Sequence, residues 1–357
     1  MKKYQIFDVY SSDETASGKA PSDINQIAAA AGFESLRLVR VCSEKMDIIS
    51  RVRRQLHYYF AWPQLYKQIE PNSIVLFQAP SQNSQLRREE TLAKLKNKKN
   101  VKFIYLVHDV EELRKFYYRK FFEEDFNQML KYADCLIVHN DSMKKFFEDR
   151  GVDPKKLVTL KIFDYLIPNG EINHAKFERS VSVAGNLDVS KTQYLKDIGK
   201  IDAKFNLYGL NFTLDAYKNV EYHGAFPADE IPNQLNSGFG LIWDGSSIET
   251  CDGAFGNYLR YNNPHKLSLY LASALPVIIW SQAAEASFII DNNLGLTIDS
   301  LNDLPKVLNK VTKEEYEHFA INAREVAKKL RRGDFTKVAL KKAVKALWKS
   351  KKGLVKI

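Results

Sequence analysis

The sequence predicts an α/β protein made of two doubly wound halves facing each other. Three observations predict it. Short apolar runs alternate with longer helical patterns as far as residue 162, the pattern of a parallel sheet flanked by helices. A second alternation of the same kind starts near residue 180. The chain of 357 residues is also longer than one hydrophobic core usually serves.

In the first half, strands are expected at 4–10, 35–41, 73–79, 101–107, 134–139 and 156–162. Between them lie helical patterns such as "SDINQIAAAAG", the long stretch 45–69 and "SMKKFFEDRG". Residues 163–180 hold Pro168, Asn169 and Gly170 with little periodicity, and are expected to be a linker. Strands follow at 180–185, 204–209, 220–224, 238–245, 276–280 and 295–298, with helices at "PADEIPNQLN", "PHKLSLYLAS", "AAEASFIID" and "LNDLPKVLN". The chain closes with a long helix, "KEEYEHFAINAREVAKKLRRGDF", and a basic helix and tail that carries Trp348 among lysines. That last segment reads either as a solvated helix packed on the surface or as a peripheral contact with an anionic membrane.

Composition narrows the class. With 45% hydrophobic and 27% charged residues the chain is globular. A net charge of +10 favours anionic partners without choosing among nucleotides, phosphates, nucleic acid and membrane. No nucleic-acid-binding signature accompanies the charge, so no nucleic acid is expected. Cys42, Cys135 and Cys251 are far apart and form no metal-ligand group, which points to a reducing compartment. The N-terminal apolar run is broken by Gln5 and Asp8, and no apolar run approaches the ~20 residues of a membrane span. The expected address is the cytoplasm, with a peripheral contact on the inner membrane face left open.

Ligands of open α/β sheets bind beyond the carboxyl ends of the strands. After the first strand, Gly18 and Lys19 precede a helix and are placed to meet a phosphate or sugar, although neither a P-loop nor GxGxxG is present. After the fourth, "VHDVEELR" brings out His108 and Asp109. Either can remove a proton from a hydroxyl, Asp109 being preferred; the alternative is that Asp109 caps the next helix. In the second half "AGNLDVSK" offers Gly185, Asn186 and Lys191, and "NLYGLN" offers Tyr208 and Gly209. Gly185 and Gly209 permit close backbone approach. Residues 243–266 form the densest candidate: Asp244, Glu249 and Asp252 with Phe255, Tyr258 and Tyr261. Carboxylates beside aromatic rings suit a sugar, and so long a structureless loop is usually functional.

The loop runs into "YNNPHK". Pro264 fits the first helical position with Asn263 as cap. His265 and Lys266 then occupy the positive end of the helix dipole, where a cation is disfavoured by roughly 0.3–1 kcal/mol. A bound diphosphate at that end would reverse the sign.

The blocks "GFGLIWDG…NNPHKLSLYL", "LVHDVEELR", "KIFDYLI" and "AGNL" closely resemble bacterial β-1,6-galactofuranosyltransferases of surface-polysaccharide assembly. More distantly the chain is similar to glucosyltransferases that extend glycans on bacterial adhesins. The resemblance spans nearly the whole chain and is densest over 238–298. It implies a GT-B fold: two Rossmann-like domains across a cleft, with a C-terminal helix crossing back. The expected divisions are 1–165 for the acceptor, 166–330 for the nucleotide sugar and 331–357 for the basic helix and tail. UDP-galactofuranose is the implied donor, a saccharide (in one version lipid-linked) the acceptor, and inversion the outcome. Lys266 stands where such enzymes hold the diphosphate, and Gly185-Asn186 where they hold the nucleotide. Tyr208, Phe226, Asn262, Asn263 and His265 are counted with the donor set, and Lys191 takes the place of an arginine found after the turn in relatives. No DxD occurs, so the cationic helix end is expected to replace a metal, and no cofactor is expected. UDP-glucose or another UDP-hexopyranose as donor, a non-catalytic nucleotide- or nucleic-acid-binding protein, and a homo-oligomer stay open as alternatives.

Overall fold

The computed structural model describes residues 1–9, 16–39, 48–81, 83–114, 120–167, 171–172, 174–214 and 217–352. Cys42, Pro168, Asn169, Gly170 and residues 353–357 of the basic tail lie outside the described residues.

The first sheet comprises β1 (Lys3–Val9), β2 (Glu34–Val39), β3 (Ile74–Ala79), β4 (Lys102–Val107), β5 (Cys135–Val138) and β6 (Leu157–Thr159). Its order is β2-β1-β3-β4-β5-β6, and every pairing is parallel. Parallel strands are covered on both faces and so are apolar almost throughout. On β3, Val75 and Phe77 meet Tyr58, Trp62 and Leu65 of helix Ile48–Gln68. Ile74 and Leu76 meet Ile24 and Ala28 on the other face, together with Ala339, Leu340 and Ala343 of the last helix, Asp334–Lys352.

The second sheet comprises β7 (Lys176–Ala184), β8 (Lys204–Tyr208), β9 (Val220–Tyr222), β10 (Ser237–Ile242), β11 (Val277–Trp280) and β12 (Gly295–Ile298). Its order, β12-β11-β10-β7-β8-β9, is also wholly parallel. Strand order reverses between β7 and β10, which opens a crevice beyond their carboxyl ends. All twelve strands expected from the sequence are present, with ends moved by a few residues.

Three local expectations change. The segment expected as a linker is partly core. Phe163, Asp164 and Tyr165 are buried, and β7 already begins at Lys176. The Asp164 carboxylate accepts the N–H groups of Phe335 (3.3 Å) and Thr336 (2.6 Å), tying the crossover to the start of the last helix. The loop 243–266 is not structureless, since Gly253–Tyr258 forms a helical turn and a half. Helix His265–Ala272 starts after Pro264, which flanks it in an extended conformation (ψ 133°), and Asn263 does not cap it.

Gly240 on β10 shows why one strand position admits no side chain. A Cβ there would lie 2.3 Å from the Tyr270 ring. The Tyr270 hydroxyl in turn accepts the Ala184 N–H at 2.7 Å, joining helix His265–Ala272 to the end of β7. Gly240→Ala is expected to destabilise the protein by roughly 1–3 kcal/mol through overpacking, read as a lower urea midpoint with an unchanged slope.

Candidate active site

The crevice of the second sheet is shaped by two glycines. Gly185 ends β7 at φ 137°, and no atom lies within 4 Å of where its Cβ would be. Its backbone is therefore open to a ligand. Gly209 ends β8 at φ 153°; a Cβ there would sit 1.7 Å from the Gly185 carbonyl oxygen, so only glycine lets the two strand ends approach. The Asn186 side chain is used locally, accepting from the Asp188 N–H and Asn211 Nδ2, both at 3.0 Å. The Lys191 N–H closes the turn onto the Asp188 carbonyl at 2.9 Å. Beside the turn Tyr208 stacks on His223 (4.6 Å, 11°), with Phe226 tilted 6.3 Å away.

The β7–β10 register sets Gly240 opposite Ser182, so Asp244 leaves β10 at the level where Gly185-Asn186 leaves β7. Asp244 Oδ1 accepts from Lys266 Nζ at 2.7 Å, and Nζ also reaches the Trp243 carbonyl at 3.1 Å. The two cationic-capable residues of the helix start are thus compensated by the protein itself. Asp244 neutralises Lys266. Burial, helped by the charge of Lys19, lowers His265 to about 4, so it is neutral at pH 7. The sequence offers a bound diphosphate as the compensation at this helix start; within the protein, Asp244 and burial supply one. Asn262 Oδ1 and His265 Nε2 are buried at the same helix start without a hydrogen-bond partner among the described residues.

Across the cleft, three histidines surround Phe163. His108 stacks on it at 5.3 Å and His265 at 5.1 Å, while His139 meets it edge-on at 5.0 Å. His108 Nε2 lies 2.5 Å from Gln78 Oε1, and burial pushes its pKa down to about 3. It is a weak base held in a structural contact, which removes it from the proton-transfer set. His139 bridges the Val107 carbonyl (3.0 Å) and the Asn263 N–H (2.9 Å).

Asp109 differs. Its side chain keeps 36% of its surface exposed. Oδ1 accepts from the Tyr258 hydroxyl at 3.2 Å, and Oδ2 faces Arg114 at 3.3 Å. Desolvation outweighs Arg114 and raises its pKa to about 6. The Val110 N–H also donates to the Tyr258 oxygen at 3.0 Å, so Tyr258 positions this strand end and is not a free ring for stacking on a sugar. Next to Asp109 a cavity of about 700 Å³ is lined by Phe122 and Phe126, by Glu112 and Glu123, and by Arg150.

Of the other expected site residues, most are engaged within the protein. Glu249 accepts from Asn302 Nδ2 at 2.8 Å, tying its loop to the segment after β12, and Asp252 accepts from the Ser246 N–H and hydroxyl, both at 2.8 Å, within its own loop. Tyr261 packs on Phe146 in the first-domain core. Gly18 has open space around it. Lys19 is spent on Asp23 (2.8 Å), the Leu166 carbonyl (2.6 Å) and, across the cleft, Asp229 (3.0 Å). Among the described residues, no group of three or more His, Cys, Asp or Glu is placed to hold a metal ion, and no helix is long and apolar enough to cross a membrane.

Sequence reading missed Asn140 and Glu285. Asn140 Nδ2 donates to Asn263 Oδ1 (2.7 Å) and Glu285 Oε1 (3.1 Å), and Asn263 Nδ2 donates to the His139 and Lys161 carbonyls. Asn263, expected as a helix cap and donor ligand, is instead a joint between domains. Nothing in the local pattern marks Glu285, whose partner lies 145 positions away.

Both halves of the chain match domain models of one family. Residues 3–162 match the N-terminal domain, and residues 181–343 the C-terminal domain, of the glucosyltransferase 3-like proteins. Over 251 residues the chain is 35% identical to the β-1,6-galactofuranosyltransferase WbbI of Escherichia coli, covering 68% of this chain and 71% of that one. It is 25% identical to glucosyltransferase 3 of Streptococcus gordonii over 328 residues, 91% of this chain and 93% of that one. Among solved structures it is similar to a sucrose-phosphate synthase from Thermosynechococcus elongatus (TM-score 0.63, 11% identity, 98% and 100% covered). It is also similar to Anabaena HepE solved with UDP (TM-score 0.58, 10% identity, 96% and 100% covered).

Burial raises the Glu285 carboxyl from 4.5 to about 8, against the lowering effect of Asn140. The folded protein therefore keeps a proton that the unfolded chain has released, and stability falls as pH climbs through that window. Glu285→Gln keeps the acceptor for Asn140 and removes the charge. Its unfolding free energy from urea titration is expected to match the wild type at the acid edge of the window and to exceed it above pH 8, by a margin on the order of a few kcal/mol.

Proposed function

The chain belongs to the glucosyltransferase 3-like family and is a glycosyltransferase of the GT-B fold; on that premise we propose that it moves galactofuranose from UDP-galactofuranose to a saccharide hydroxyl, with inversion and β-1,6 linkage, in surface-polysaccharide synthesis. The observation that carries the reading is the crevice between β7 and β10. There the open backbone of Gly185 leaves β7 level with Asp244, the ion-pair partner of Lys266 in the first turn of a helix. The relative named as a β-1,6-galactofuranosyltransferase supports the sugar, and HepE, solved with UDP and with UDP-glucose, supports a uridine diphosphate donor.

In this reading the diphosphate lies against the start of helix His265–Ala272 and takes Lys266 from Asp244. The leaving UDP gains negative charge as the anomeric bond breaks, so Lys266 and the helix N–H groups act most strongly in the transition state. Asp244, released, is free to accept a donor hydroxyl. Tyr208 and Phe226 stand beside the crevice as a face for the base. The acceptor occupies the cavity next to Asp109, whose rings and carboxylates match a sugar's apolar face and hydroxyls. The acceptor oxygen bonds to the anomeric carbon, the bond to UDP breaks, and the hydroxyl proton passes to Asp109. With a pKa of about 6, Asp109 is ionised at pH 7 and able to take it. No metal is required in this scheme.

A donor panel run in EDTA tests the proposal. UDP-galactofuranose is expected to exceed UDP-galactopyranose and UDP-glucose by at least tenfold in kcat/KM. A preference for UDP-glucose would instead favour the reaction named for the streptococcal relatives. Asp109→Asn is expected to lower kcat by about 10²–10⁴-fold with UDP affinity unchanged by calorimetry. Because the base works ionised, wild-type kcat/KM is expected to fall as pH drops through about 6.

A further inference from the structure

Helix Ile48–Gln68 carries two apolar faces, and the protein covers one. Tyr58, Trp62 and Leu65 enter the first-domain core. On the other side Ile48 and Ile49 are each 77% exposed, Phe60 62%, and Val52 and Leu56 53%. At roughly 100° per residue, these five positions share an arc of about 120° along the first three turns. Leu86 (48% exposed) extends the patch, because its N–H donates to Gln55 Oε1 at 3.0 Å. Single exposed apolar residues are ordinary, whereas a contiguous stripe marks a contact surface.

The charge of the helix selects the partner. Ile48–Gln68 contains no Asp or Glu and carries Arg51, Arg53, Arg54 and Lys67. A second copy docked symmetrically on this face would set arginine against arginine. An anionic bilayer matches both features: acyl chains receive the stripe, and headgroups receive the cations. We propose that this helix seats the enzyme on an anionic lipid surface. The basic C-terminal helix is on the opposite face of the first sheet, where Ala339, Leu340 and Ala343 are buried. Among the described residues its large exposed apolar side chains are Val338 and Trp348. Opposite faces of one sheet cannot rest on one flat surface, so the contact lies on the helix after β2. That helix starts beyond the carboxyl end of β2, the side on which the cleft opens, so the bilayer would lie next to the acceptor entrance. The inference concerns where the protein sits and stands apart from the choice of donor.

Flotation of the full chain with phosphatidylcholine vesicles, with and without phosphatidylglycerol, tests it. Anionic vesicles are expected to retain at least roughly tenfold more protein than neutral ones. The double variant Val52→Glu, Leu56→Glu is expected to lose roughly tenfold or more of that binding. Arg51→Ser with Arg53→Ser should reduce the anionic preference, and Lys341→Ser with Lys342→Ser should leave it within about twofold. All these positions are on the surface, so circular dichroism melts should coincide, and a UDP titration of each variant reads the nucleotide site separately. Undiminished flotation of the double variant, or no flotation of the wild type, overturns the proposal. Loss of binding on the Lys341/Lys342 substitutions also overturns it, assigning the contact to the last helix. So does a wild-type dimer that the double variant converts to monomer, which would assign the stripe to a second copy.

Discussion

The geometry of the cleft rests on Asn263. Its backbone N–H donates to His139, its side-chain nitrogen to the His139 and Lys161 carbonyls, and its side-chain oxygen accepts from Asn140. All four bonds cross from the second domain to the first or to the crossover, and Asn263 and His139 are buried. A buried hydrogen bond contributes only about 1 kcal/mol net, but leaving its partners unpaired costs more. The network therefore specifies one arrangement of the domains more than it stabilises it. Two residues on from Asn263 the helix with Lys266 begins, so the same joint aims that helix end into the crevice.

The cleft is electrically compensated in this state. Lys266 has Asp244, Lys19 has Asp23 and Asp229, and Asp109 has Arg114. The three histidines around Phe163 are kept neutral by burial. On the proposed function, a dianionic donor entering such a site would exchange partners rather than fill a vacant positive field. The binding energy of its diphosphate would then be a difference between two ion pairs, sensitive to Asp244 as well as to Lys266. Glu285, protonated near neutrality, adds no charge to this balance.

The same frame of two parallel sheets recurs in proteins only 9–11% identical to this chain. Such likeness carries the fold and leaves the chemistry to the site. Within that frame this chain carries an acidic, aromatic cavity beside Asp109 and, on the helix after β2, an exposed apolar stripe with arginines on the same helix.

The sequence alone determined the architecture, because buried parallel strands must be apolar along their length and must end in turns that glycine or polar residues permit. That rule exposes the twelve strands, the Gly185 and Gly209 ends, and the position of Asp109 without any tertiary information. It also flags the helix start at His265, whose charges oppose the dipole. Only the tertiary structure decided who compensates them. Asp244 lies 22 positions from Lys266, His139 124 from Asn263, and Asn140 145 from Glu285, and pairings at such separations leave no periodic trace. The same limit applies to Ile48–Gln68. Periodicity shows where apolar side chains point, but which apolar face is covered depends on the sheet brought against it.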